Sequence, residues 1–304
     1  MRPGWPPLLL SYKSNMPRPV AIPFPSPDMI DTQSFIEVIK ADDLRGVQHH
    51  AESGAFGERD LDQALFFSAF LGRQHLVRYF LRLGWPFLNK DRALQAAASA
   101  GRTRTLIHLQ QNGGDPRTHE DFPFHLAITK NHPVTSAYLV LAGADAHGGA
   151  ERSIRAAYSK GFRNLALDCV GIQPYARAPD QALEWAVRHN KEEFALAAVL
   201  AGASANLNDG ELALVAARNG NAPLLRLLSH HGADILARGE QVARDTAIRS
   251  GSPEVLRAMA DLVKMARAKP TILPPSDRMT GIKTVEGTVV FMKGVRLRSR
   301  RVTH

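Results

Sequence analysis

The chain of 304 residues has one cysteine, Cys169. That excludes an internal disulfide and a cysteine-based zinc site, and it points to a reducing compartment. Aromatic residues make up only 7%. The longest apolar run, Phe194 to Ala203, is far below the ~18 residues a membrane span needs, and Leu8 to Leu10 is too short to read as a signal peptide. No H-E-x-x-H, no G-x-x-x-x-G-K-[ST], no G-x-G-x-x-G opening a helix and no G-x-S-x-G is present. Carboxylates are scattered without pairing. Asn206 to Gly210 fails as a calcium loop, because Ala205 and Leu207 would stand at ligand positions. The twelve histidines lack ligand spacing, and the adjacent pairs His49-His50 and His230-His231 cannot face one another on a helix. No cofactor, metal or catalytic residue is expected.

The excess charge is not spread evenly. The formal net charge is +9, yet residues 31–263 hold 25 basic against 26 acidic side chains. Residues 264–304 hold ten basic against two acidic, so the high isoelectric point belongs to a tail. Eight of the 19 prolines lie within the first 28 residues, which reads as an extended leader. The expected organisation is a Pro-rich leader over 1–30, a body over 31–265, and a basic tail over 266–304. Lys269-Pro270-Thr271-Ile272-Leu273-Pro274-Pro275 closes the body. Within the tail, Thr288 to Met292 and Val295 to Arg298 flank Lys293-Gly294, a candidate short β-hairpin with a two-residue turn.

The body repeats itself. A small residue precedes a turn residue by four places at Ser68/Gly72, Ala97/Gly101, Ala127/Asn131, Ala157/Gly161, Ala186/Asn190, Ala216/Gly220 and Ala247/Gly251. A weaker copy ends at Asp43, and the turns recur every 29 to 31 residues. A second glycine follows twelve places later at Gly84, Gly113, Gly143, Gly202 and Gly232. Each unit reads as two short helices joined by a left-handed turn, with stacked first helices touching at the small residue.

Phe122-Pro123-Phe124-His125-Leu126-Ala127 is similar to the T-P-L-H-x-A helix start of ankyrin repeats, and Gly143-Ala144-Asp145 and Gly232-Ala233-Asp234 resemble their G-A-D exit. The resemblance covers roughly residues 31 to 265. It implies an all-α, ankyrin-like solenoid of about eight helix-turn-helix units that serves as a monomeric protein-binding module. His125 then takes a structural role, and Cys169 falls on the core face of a second helix. The period is about three residues short of the usual 33. The fifth unit lacks its exit glycine, so an irregular link over Ile172 to Pro179 should bend the stack.

The positions just before each turn should show side chains to the concave face. They give the candidate partner site: the apolar pair Phe70 and Leu71, and the row Lys130, Lys160, Arg188, His189, Arg218, Asn219 and Arg249. The row fits a protein partner with an acidic surface, or a helix-end preference for cations. Phe70 and Leu71 fit partner contact, or coverage by the leader. Nucleic acid is not expected on the array. The rival reading puts function in the tail residues Arg296, Arg298, Arg300 and Arg301, which would bind phosphates or direct export to a host cell. The leading reading is a cytoplasmic protein.

Overall fold

The computed structural model describes residues 32–52, 57–86, 88–146, 151–268, 290–291 and 298–299. The leader lies outside these residues, as do Arg296, Arg300 and Arg301. The body is all-helical, with sixteen α-helices in sequential pairs. The pairs are α1 (Thr32–Lys40) and α2 (Leu44–Glu52), α3 (Glu58–Leu71) and α4 (Gln74–Leu83), α5 (Lys90–Ser99) and α6 (Thr103–Gln111), and α7 (Thr118–Thr129) and α8 (Pro133–Leu141). They continue with α9 (Glu151–Ser159) and α10 (Arg163–Ile172), α11 (Pro179–Arg188) and α12 (Glu192–Leu200), α13 (Leu207–Arg218) and α14 (Ala222–His230), and α15 (Glu240–Arg249) and α16 (Pro253–Ala268). Two residue pairs of the tail form an antiparallel bridge between β1 (Val290–Phe291) and β2 (Arg298–Ser299). Phe291 stands opposite Arg298, whereas a turn at Lys293-Gly294 would set it opposite Arg296. The register is therefore shifted by two residues from the one the sequence suggested.

The two helices of each pair are joined where the punctuation falls. Gly72, Gly101, Asn131, Gly161, Asn190, Gly220 and Gly251 all have positive φ. In the first unit the left-handed residue is Asp42, not Asp43. Asn131 and Asn190 substitute for glycine because a short polar side chain tolerates this conformation. The small residues Ser68, Ala97, Ala127, Ala157, Ala186, Ala216 and Ala247 are all buried. They lie on helices that touch in series, α3, α5, α7 and α9, and further on α11, α13 and α15. α7 and α13 each begin with three left-handed residues, His119–Asp121 and Asn208–Gly210, so the regular part of α7 starts at Phe122. Pro123 then occupies the first turn, where a missing N–H breaks no helical bond.

The series is interrupted in the middle. α10 packs on α8, but among the described residues α11 makes no substantial contact with α9. Instead α12 lies along α8, more extensively than any other two even-numbered helices meet. Composition explains why. α4 buries one stripe, Leu76, Val77 and Phe80. α8 buries every residue from Thr135 to Leu141, and α12 buries Phe194, Ala195, Ala197 and Ala198. A helix that is apolar all round must have neighbours on several sides. The link folds onto the end of α8: Arg177, at φ 64°, donates its N–H to Leu141 O at 3.0 Å, and Gln173 Oε1 accepts from Ala146 N at 2.8 Å. Gly171 lets Trp185 approach, since a Cβ there would stand 2.7 Å from the indole.

Candidate functional site

The residues before each turn lie at the C-terminal ends of the odd-numbered helices. A helix ends in carbonyls with no partner of its own. Here a side chain from the following unit supplies the donor. Arg73 Nη2 donates to Lys40 O at 2.7 Å, Arg102 Nε to Phe70 O at 3.4 Å, and His132 Nε2 to Ser99 O at 3.1 Å. Lys160 Nζ donates to Thr129 O at 3.1 Å, and Asn219 Nδ2 to Val187 O at 3.4 Å.

This sorts the row. Lys160 and Asn219 are engaged in holding one unit to the next. Arg188 pairs with Glu184 on its own helix. His189 donates Nδ1 to Trp185 O at 2.8 Å and stacks on that indole at 4.6 Å. Lys130, Arg218 and Arg249 are exposed, and among the described residues they hold neither an ion pair nor a side-chain hydrogen bond. The apolar pair is also divided. Phe70 is 40% exposed, but Leu71 packs against the core, because the last turn of α3 rotates it inward.

A second column was not singled out from sequence. At the start of the odd-numbered helices Asp62, Asp91, Asp121, Asp180 and Asn206 accept a backbone N–H from Asn89, Asp115, Asp145, Ser204 and Asp234, at 2.7 to 3.2 Å. The first four recur at about the unit period, and that spacing was the available signal. Asp121 is buried, and Arg117 Nε reaches it at 3.1 Å.

His125 shares a 3.1 Å hydrogen bond with Ser153 and stacks on Phe122 at 6.0 Å. Burial, with the charges of Lys160 and Arg152, holds it below the ordinary histidine value of 6.5. Cys169 is fully buried, and burial with the neighbouring Asp168 pushes its thiol far up, so no thiolate is available for chemistry. Among the described residues no group of His, Cys, Asp or Glu is placed to hold a metal ion, and no helix is long and apolar enough to cross a membrane.

No family model and no curated protein sequence matches the chain.

Two predictions follow from this geometry. Lys160→Met should lower stability by about 1 kcal/mol, the value of a charge-assisted hydrogen bond discounted for partial exposure. Lys130→Met should stay within about 0.5 kcal/mol. Denaturant midpoints of the two variants check this. The second concerns pH. His125, His108 and His231 are all held below 6.5, so the folded state favours their neutral form. Their stabilisation is complete above that value and is lost as pH falls from it through the depressed folded-state values. Melting temperature should therefore drop between pH 7.5 and pH 5, and His125→Asn should flatten the drop.

Proposed function

We propose that this chain is an ankyrin-like repeat array of about eight short units that binds a protein partner with an acidic surface. It acts as a monomeric, non-enzymatic cytoplasmic module. The observation that carries the reading is the row of exposed cations left over once inter-unit bonding is satisfied: Lys130, Arg218 and Arg249. Hydrogen bonding between units accounts for Lys160, whose amine meets a terminal carbonyl, but not for Lys130, Arg218 and Arg249. The repeat reading is supported by left-handed turns at intervals of 29 to 31 residues and by a donor passed from one unit to the preceding one.

Exposed pairs contribute ~0.2–1 kcal/mol each, whereas a row of charge steers encounter over a Debye length of ~8 Å at physiological salt. The test is surface plasmon resonance with a partner isolated by cross-linking, at two salt concentrations. Changing Lys130, Arg218 and Arg249 to Glu should slow capture strongly at low salt and leave melting unchanged. Equal capture rates at both salts would sink the reading.

A further inference from the structure

The even-numbered helices carry charge differently. α4 contributes Arg78 and Arg82, α6 contributes Arg104, and α14 contributes Arg226; none of the three helices contains a carboxylate. All four arginines are solvent-facing. Some exposed guanidiniums elsewhere are paired, Arg92 with Asp62, Arg188 with Glu184, Arg238 with Glu211 and Arg244 with Glu240, whereas among the described residues Arg218 and Arg249 of the edge row are not. Among the described residues Arg78, Arg82, Arg104 and Arg226 form no ion pair and no side-chain hydrogen bond.

The chain brings these helices together although α6 and α14 lie far apart in sequence. α4 packs beside α6. Leu196 of α12 lines two grooves, one shared with Arg104 and one shared with Arg226, His230 and His231. The second groove, of about 1130 Å³, has Leu227, Ile235, Leu236 and Leu262 along it. Its one carboxylate, Asp234, already accepts the Leu236 N–H at 2.9 Å. The histidines feel the same field. Besides burial, Arg78 and Arg82 lower His108, and His230 and Arg104 lower His231.

We propose that α4, α6 and α14 form a docking face for a protein segment in which acidic and apolar residues alternate, the carboxylates meeting Arg78, Arg82, Arg104 and Arg226 and the apolar residues covering Leu196 and the groove beside it. The inference rests on the acidic-partner reading and gives that partner a second surface. Four unpaired cations on helices without a carboxylate, with Asp234 alone beside them in the groove, make a net positive field that attracts anions. A phosphate polymer would leave the leucine-lined groove uncovered, and among the described residues the face offers no exposed Phe, Tyr or Trp ring for base stacking. An acidic-apolar segment satisfies both components.

The probe is a fluorescein-labelled peptide of five Glu-Glu-Leu repeats, followed by anisotropy against the full chain at low and moderate salt. Any contribution of the basic tail is common to every variant. Arg78→Glu/Arg104→Glu/Arg226→Glu should weaken binding at least tenfold and flatten its salt dependence, with circular dichroism unchanged. Lys130→Glu/Arg218→Glu/Arg249→Glu should stay within twofold. If the first variant stays within twofold while the second loses binding, this inference falls and the edge reading stands. If neither changes binding, the tail holds the peptide and both readings fall. Tighter binding of a 20-base-pair DNA duplex, lost in the first variant, would overturn the choice of partner. Should the reversed charges disturb folding, the corresponding Arg→Gln triple must still lose binding at least threefold.

Discussion

Leu196→Arg is expected to lower stability by about 1–2 kcal/mol, part of the burial of one leucine because Leu196 is half-buried, with a further loss if the guanidinium is trapped away from water. Leu167→Arg should be nearly neutral. The two leucines occupy corresponding positions, one on α12 and the other on α10, so a chain of identical units would treat them alike. Here Leu167 is 49% exposed. Leu196 and Leu200 instead share a groove with Val134, at the start of α8, and with Thr103 and Thr105 of α6. The difference between the two melting temperatures reads the contact of α12 with the earlier helices directly. Equal, small shifts would mean that Leu196 faces solvent as Leu167 does.

What sequence conveys here is the spacing within a unit. The left-handed residues at Gly72, Asn131 and Asn190 and the buried column from Ser68 to Ala247 were legible, because each is a local conformational or steric demand repeated at fixed intervals. The irregular link after Cys169 was legible too, and Gln173 to Arg177 does depart from the pattern. The α8–α12 contact was not, since a contact between units two apart leaves no period behind. Its one trace is the apolar run from Phe194 to Ala203, too short for a membrane span and long enough to need neighbours on several sides. The row of cations was legible as a list of residues but not as a set of roles. Donors that cap the preceding helix come from the position after the turn in Arg73, Arg102 and His132, and from the position before it in Lys160 and Asn219. Which carbonyl lies within reach depends on how far each unit is rotated on the last, and composition does not carry that rotation. The arginines of α4, α6 and α14 were missed for a related reason: only the fold brings Arg104 of α6 and Arg226 of α14 to grooves that share Leu196 of α12.

Gly210→Ala should be among the most damaging single changes. Gly210 has φ 73°, and an added Cβ would stand 2.1 Å from the carbonyl oxygen of Asp234. The left-handed backbone costs a non-glycine residue about 1–2 kcal/mol, and relieving the overlap adds about 1–3 kcal/mol. Gly202→Ala provides the comparison. Its φ is 104° with nothing within 4 Å of the added carbon, so it carries the first cost without the second. The position also explains a gap in the acidic column. Asp62, Asp91, Asp121 and Asp180 lead by their spacing to residue 210, where no side chain fits, and Asn206 accepts the Asp234 N–H in its place. A Gly210→Ala midpoint no lower than that of Gly202→Ala would contradict this account.

The contact between α8 and α12 bears on how such a chain can change in length over generations. Where each helix pair touches only its immediate neighbours, a pair can be duplicated or lost almost anywhere, and the remaining surfaces still match. Between α8 and α12 that freedom is gone. Inserting or removing a pair there would carry one all-apolar helix away from the other and leave both partly bare to water. Growth and shrinkage are tolerable only toward the two ends, so the stretch from Pro133 to Leu200 should keep its number of helices while the flanks vary.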